Sequence, residues 1–305
     1  MSYPVPVLLI AFNRPETTSQ VLALLQELKP QHLYIACDGP RPNHPTDADL
    51  CAAVRELLAT GITWSCKVQR LMRPANLGCR LGVSGAIDWF FEQEEEGVIL
   101  EDDILPEPSF FPYCQELLER YRDDQRVGMI ASNNHQSESP SDGSSYYFSI
   151  YSHIWGWATW RRAWRFYSQA MNSWPEFRSQ GWLEFLGGRQ FAQRWTLWID
   201  QVDQGIVDTW DMTWQLACWQ QGFLVCLPKC ELIRNIGFGP TATHTLDESS
   251  PLKESGELNF PLVHPLVMLA NKRFDRNSFR DLYRPSLRKQ LRRKLLKGLR
   301  LLGLR

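Results

Sequence analysis

Between residues 5 and 131 the chain alternates short apolar runs with amphipathic stretches at intervals of about thirty residues, and this rhythm constrains the fold more than any other feature. Val5–Phe12 is a continuous apolar run, as expected of a strand buried on both faces. Asn13-Arg14-Pro15 turns the chain, and Glu16–Leu28 has helical periodicity with Pro15 suited to the first turn. The pattern repeats with strands at His32–Cys37, Cys66–Leu71, Val98–Leu100 and Val127–Ala131, and with helices at Asp47–Thr60, Arg80–Gln93 and Ser109–Tyr121. Such alternation predicts an α/β fold, a Rossmann-type, mostly parallel sheet flanked by helices. Ligands of such sheets bind at the carboxyl ends of the strands. Arg14, Asp38, Arg73 to Asn76, and Glu101 to Asp103 all follow predicted strand ends, which places four polar clusters on one sheet edge. No G-x-G-x-x-G follows the first strand, which argues against a dinucleotide site.

Beyond the polar, Ser-rich loop Asn133–Ser145 the pattern is less regular. It suggests a strand near Tyr146–Tyr151, a Trp-rich helix from Trp157 to Tyr167, helices over Trp182–Asp203 and Thr209–Gln220, and a strand at Phe223–Leu227. The length of 305 residues suits a single α/β domain with appended elements, or two smaller domains; one domain over 1–284, divided at residue 131, with a tail over 285–305 is the expectation. The tail carries eight Lys or Arg and no acid; with a net charge of −1 for the whole, the rest stands at about −9. That body is a poor match for nucleic acid. The eight cysteines form no C-x-x-C pair, the N-terminus has no signal-peptide pattern, and no apolar run approaches the ~20 residues of a spanning helix. A reducing, cytoplasmic setting is the expectation.

Val98-Ile-Leu-Glu101-Asp102-Asp103 is the strongest local signal. A diphosphate leaving group accumulates negative charge, and a divalent cation bridging its phosphates stabilises it. Hard cations such as Mn2+ or Mg2+ take carboxylate oxygens. A turn begun by Ile104-Leu105-Pro106 would let Asp103 reach inward to a metal, while Asp102 bonds a ribose or an arginine. The plain alternative is a solvated acidic turn.

These residues resemble those of GT-A-type glycosyltransferases, and among them N-acetylglucosaminyltransferase I and its bacterial relatives. That family carries a buried strand, then Glu-Asp-Asp, then a Pro and paired aromatics opening a helix. The counterpart is Glu101-Asp102-Asp103-Ile104-Leu105-Pro106-Glu107-Pro108-Ser109-Phe110-Phe111. The resemblance continues through Ile154-Trp155-Gly156-Trp157 and Trp210-Asp211, and covers roughly residues 5–245. It implies that residues 1–131 bind the nucleotide sugar and 132–284 the acceptor, that Asp103 holds the metal, that Asp102 helps hold the nucleotide, that Asp38 contacts uracil or ribose, and that transfer inverts the anomeric carbon; Glu101 is a further candidate for the nucleotide sugar.

Each further candidate has a bland counterpart. Arg14, beside a helix start, suits a phosphate or is a surface arginine. Asp38 before Gly39-Pro40 is also a common turn residue. Arg73-Pro74-Ala75-Asn76-Leu77-Gly78 looks like a segment common in sugar-nucleotide folds, and Asn76 also suits a helix cap. Asp211 is the candidate base that takes the acceptor's proton, with Asp208 as its rival and N-capping as the alternative for both. The family has two adjacent acids there, whereas Met212 follows Asp211. His244, in a Gly- and hydroxyl-rich loop, is a second candidate metal ligand or a structural histidine. Gly156 and Trp157 are candidates for the nucleotide sugar; Trp155 and Gly156, before the expected helix, could offer a flat ring and exposed backbone to a donor or acceptor sugar, while Trp157, Trp160 and Trp164 at helical spacing favour packing.

In the tail, Leu287, Leu291, Leu295 and Leu299 recur every four residues among basic residues, a pattern apt for an anionic membrane surface at its inner face. The expected activity is transfer of a sugar, from a UDP-sugar by preference among nucleoside-diphosphate sugars, to a glycan or lipid-linked acceptor. The alternatives are a nucleotidyltransferase of sugar phosphates, against which the Gly-free Ala11–Pro15 argues, and a non-enzymatic membrane-surface or carbohydrate-binding protein. A glycosidase is less apt, because the acids follow a buried parallel strand.

Overall fold

The computed structural model describes residues 2–237 and 255–283. His244, the loop Phe238–Glu254 and the tail 285–305 lie outside the described residues. Strands β1 (Val7–Ala11), β2 (His32–Cys37), β3 (Lys67–Met72) and β4 (Glu96–Glu101) alternate with helices α1 (Pro15–Leu28), α2 (Asp47–Thr60) and α3 (Gly78–Phe91). Then come β5 (Ile104–Pro106), α4 (Phe110–Arg120), β6 (Val127–Ala131), β7 (Tyr146–Ser149), β8 (Trp157–Trp160) and α5 (Arg161–Trp164). Helices α6 (Trp174–Ser179), α7 (Trp182–Gly187), α8 (Arg189–Asp203) and α9 (Asp211–Gln220) precede β9 (Leu224–Pro228), β10 (Ile233–Asn235) and α10 (Lys272–Ser278).

The main sheet runs β3-β2-β1-β4-β8-β6-β9-β7. The β1–β2, β2–β3, β1–β4 and β6–β9 pairs are parallel, while β8 and β7 run against their neighbours. The fold is therefore α/β with a mostly parallel sheet between helices, as the sequence alternation predicts. Strand side chains alternate between the two layers. Val7, Leu9, Val98 and Leu100 join α1, α2 and α4 in one core, while Leu8 and Ile99 join α3 and α9 in the other. A third cluster, built on Trp174, Trp195 and Trp219, closes the helical second half.

The predicted helix over Trp157–Tyr167 is corrected. Trp157–Trp160 is a strand wedged between β4 and β6, with Trp157 opposite Ile99 and Ala131. In a strand a three-residue spacing reverses the face, so Trp157 enters one core and Trp160 the other. Only Arg161–Trp164 is helical. The turn expected at Ile104–Pro106 is likewise a short strand, paired antiparallel with Ile233–Asn235. Among the described residues no disulfide joins any of the cysteines. Among the described residues no helix is long and apolar enough to cross a membrane.

Candidate active site

The carboxyl ends of β1, β2, β3 and β4 open into a cavity of about 580 Å³. Arg14, Asp38, Arg73, Asn76, Glu101, Asp102, Asp103 and Asp211 all line it. The strand-end rule thus brings together eight sequence candidates separated by up to two hundred residues.

The acids at the end of β4 share one guanidinium. Arg14 Nη1 donates to Asp103 Oδ2 at 2.7 Å, and Arg14 Nη2 donates to Asp102 Oδ1. Asp102 Oδ2 also accepts from the Phe12 backbone N–H at 3.0 Å, so both its oxygens are engaged. Burial pushes the Asp102 carboxyl up to about 6, with Arg14 opposing the rise. Glu101 is held well above the usual carboxylate range by burial, then by Asp103 and Asp102. With Glu101 protonated near neutral pH, Asp102 and Asp103 still outnumber the one guanidinium between them.

Among the described residues no group of three or more His, Cys, Asp or Glu is arranged to hold a metal ion by itself. The residues fit a different mode. Asp103 faces the cavity, and magnesium commonly takes one or two carboxylates and completes its shell with phosphate oxygens and water. The backbone of Gly237 packs on the same group: a Cβ there would lie 2.1 Å from Asp103 Oδ2.

The start of α3 is closed by three side chains. Asp38 Oδ2 accepts from Leu77 N at 2.9 Å, Asn76 Oδ1 from Gly78 N at 3.0 Å, and Asp208 Oδ2 from Cys79 N at 3.0 Å. Asp38 Oδ1 also accepts from Gly39 N, so Asp38 serves the backbone while lining the cavity. Asn76 does act as a helix-entry residue, and it ties β2 to α3 by donating to Gly39 O at 3.1 Å. Arg73 runs under α3, donating Nη1 to Gly82 O at 2.6 Å. The glycines make this possible, since a Cβ on Gly85 would sit 3.0 Å from Arg73 Nη2.

Asp208 is thus spent on a helix 129 residues away in sequence. Asp211, at the first position of α9, accepts from Thr209 Oγ1 and keeps to the cavity. Cys79 lines the same cavity as these acids. Burial first, then Glu101, Asp211 and Asp208, push it up to about 12, so it stays protonated.

Two candidates sit elsewhere. Trp157 is fully buried and stacks on Trp210 with ring centroids 5.7 Å apart, so it is part of the core and not of the cavity wall. Gly156 has φ +68° and is hemmed in by Ile104 and Ile233. It is the joint that lets the chain leave Trp155, which does line the cavity, and enter β8. Sequence reasoning missed Phe12 and Arg41. Arg41 is fixed by the buried Asp47 through Nε (2.6 Å) and Nη2 (2.9 Å), and its guanidinium lies 5.3 Å from the Phe12 ring centroid. It also missed Asn235 and Gly237, which reach the cavity through the β5–β10 pairing. An arginine three residues after the strand-end Asp38 was the available signal for the first; no local signal marks the second.

No family model matches the chain, and no curated protein matches it in sequence. Among solved structures, HddC from Yersinia pseudotuberculosis is similar at 10% identity and a TM-score of 0.33, over 52% of this chain and 77% of that one. UDP-glucose pyrophosphorylase complexed with UDP-glucose is similar at 9% identity and a TM-score of 0.33, over 74% and 90%. Likenesses of that size carry no argument about activity, and the functional reading rests on the cavity itself.

Proposed function

We propose that the protein is a glycosyltransferase that takes a sugar from a nucleoside-diphosphate sugar, a UDP-sugar by preference, and passes it with inversion to an acceptor hydroxyl. The observation that carries this reading is the set of groups that line one cavity. Phe12 and Arg41, an aromatic and a planar cation, line it together with Asp38; the Arg14–Asp102–Asp103 cluster lines it at the end of β4; Trp155 and Asp211 line it from the second half of the chain. A nucleoside, a diphosphate and a sugar would each find a matching chemistry among these groups.

In this reading Arg14 faces the diphosphate, and Asp103 is the carboxylate that holds Mn2+ or Mg2+. When bound, such an ion neutralises charge developing on the departing diphosphate. Asp102, bonded to Phe12 N and Arg14, fixes the guanidinium's orientation. Asp211 takes the proton from the acceptor hydroxyl as its oxygen attacks the sugar. Trp155 offers a flat apolar face to a sugar ring. His244 as a further metal ligand, and an anionic membrane surface for the tail, belong to the same proposal.

The test uses a panel of nucleoside-diphosphate sugars with Mn2+, following release of the nucleoside diphosphate by slow transfer to water. Asp211→Asn should cut turnover by about 10²–10⁴-fold while leaving nucleotide affinity unchanged. Full turnover in that variant would remove Asp211 from the mechanism. Pyrophosphate release from a nucleoside triphosphate and a sugar phosphate would favour the nucleotidyltransferase alternative.

A further inference from the structure

Arg41 follows the carboxyl end of β2, and one side of its guanidinium is already committed. Nε donates to Asp47 Oδ2 at 2.6 Å, Nη2 donates to Asp47 Oδ1 at 2.9 Å, and the Arg41 backbone N–H donates to Oδ2 at 3.2 Å. Asn13 Nδ2 donates to Asp47 Oδ1 at 2.9 Å, so Asp47 is held from two segments. The Asp47 side chain is 1% exposed and that of Arg41 35%. The hydrogen bond from Arg41 holds the Asp47 carboxyl down at about 2, so the pair is ionised at neutral pH. Among the described residues Nη1 has no hydrogen-bond partner, and Arg41 lines the cavity.

These facts define what the group can meet. A guanidinium donates and cannot accept, so a partner of Nη1 is an acceptor. Asp47 cancels the charge, so the pair offers N–H groups without surplus positive charge, which suits a carbonyl oxygen better than a phosphate. The Phe12 ring, its centroid 5.3 Å from the guanidinium carbon, lines the same cavity and gives a planar ring a surface to stack on.

Strand order says which part of a nucleotide comes here. The sheet runs β2-β1-β4-β8, and β8 is antiparallel to β4, so its start lies at the end of β4. Arg41 follows β2, Arg14 follows β1, Asp102 and Asp103 follow β4, and Trp155 precedes β8. With neighbouring strands ~4.8 Å apart, Arg41 and Trp155 flank the acidic cluster from opposite sides. A diphosphate at Arg14 and Asp103 thus has Trp155 toward its sugar, and Phe12 and Arg41 toward its base. Uracil carries a carbonyl where cytosine carries an amino group, and guanine carries one where adenine carries an amino group.

Resting on the transferase reading, we propose that Arg41, locked by Asp47 beside Phe12, selects the nucleobase by donating to a ring carbonyl, so that the donor carries a carbonyl base, uracil or guanine, and not an amino base, cytosine or adenine.

The experiment measures, by calorimetry on the full chain with Mn2+, the affinities of UDP, GDP, CDP, ADP and pyrophosphate. The better of UDP and GDP names the base and should bind at least about tenfold more tightly than its amino counterpart, CDP or ADP. Arg41→Gln offers a carbonyl as well as an N–H, so the preference should fall to about threefold or less while pyrophosphate affinity stays as in the parent chain. Should that variant fail to fold, Arg41→Lys, which keeps a cation beside Asp47 without the fork, carries the test and should narrow the preference likewise. Carbonyl and amino bases bound equally by the parent chain, or a preference that survives the substitution, would overturn the proposal. So would an equal loss for every diphosphate and for pyrophosphate, which would put Arg41 on the phosphates. Failure of the transferase reading looks different: no nucleoside diphosphate binds the parent chain at all, and this inference falls with it.

Discussion

Arg14 concentrates the site's electrostatics in one side chain. It is the shared partner of Asp102, which is almost fully buried, and of Asp103, which faces the cavity. Removing one member of a buried ion pair strands the other in a low dielectric. Arg14→Ala should therefore lose about 3 kcal/mol of unfolding free energy in urea titrations. If a cation can take the guanidinium's place beside Asp103, Mn2+ should restore more stability to this variant than to the parent chain. A loss within a few tenths of a kcal/mol would mean that the pair is solvated and that the cluster is an ordinary acidic turn. Gly237 offers a second probe. A methyl there would lie 2.1 Å from Asp103 Oδ2, so Gly237→Ala should displace the carboxylate and weaken metal-dependent nucleotide binding, read by calorimetry. The acids themselves were legible in the sequence because a buried apolar run that ends in carboxylates has few other uses. Arg41 was not. Its value comes from Asp47 and Phe12, which loop closure brings beside it.

Among the elements, α3 joins the two halves of the site. Its first turn is capped by Asp38 and Asn76 from nearby in sequence and by Asp208 from the far half. Loss of such a cap costs about 1 kcal/mol. Asp208→Ala should show that loss, and should also lower turnover by letting the segment before Asp211 drift, with the donor KM little changed. Gly78→Ala should cost more, about 1–3 kcal/mol, because the φ of +78° disfavours a side chain and the new methyl meets Asp208. The two effects should be non-additive in a double-mutant cycle, since both act on one contact. The strands β1 to β4 were readable from local pattern because parallel strands buried on both faces are continuously apolar. Strand β8 was not, because tryptophans at positions 157, 160 and 164 satisfy a helical period. Only the gap between β4 and β6 selects the extended form. The β5–β10 pair was hidden for a similar reason: three residues bond to three others more than 120 positions away.

For the whole molecule, Asp275 links stability to pH. It lies buried under the sheet's last strand, accepts a hydrogen bond from Ser149 Oγ at 2.6 Å, and shares its surroundings with Tyr147, Tyr151 and Tyr283. Burial pushes its carboxyl up to about 7. Between the ordinary carboxylate value near 4 and that value, the folded chain holds a proton that the unfolded chain has lost. Its contribution to stability is therefore full below about pH 4 and declines as pH rises through 7. Asp275→Asn removes the titration, so the variant should gain on the parent chain by on the order of 3 kcal/mol between pH 4 and pH 8 in denaturant titrations. A constant difference across that range would place the carboxyl in contact with water.

In the proposed function the cavity at the end of β4 binds a nucleoside diphosphate together with a divalent cation through Asp103. The most direct measurement is the melting temperature against a panel of nucleoside diphosphates, each with and without Mn2+, for the parent chain and for Asp103→Ala. At a hundred times the dissociation constant, a ligand stabilises by about 2.7 kcal/mol, which is readily seen as a shift. UDP should stabilise the parent chain only when Mn2+ is present, and should not stabilise Asp103→Ala. No shift with any nucleotide, or a shift indifferent to both the metal and the substitution, would contradict it.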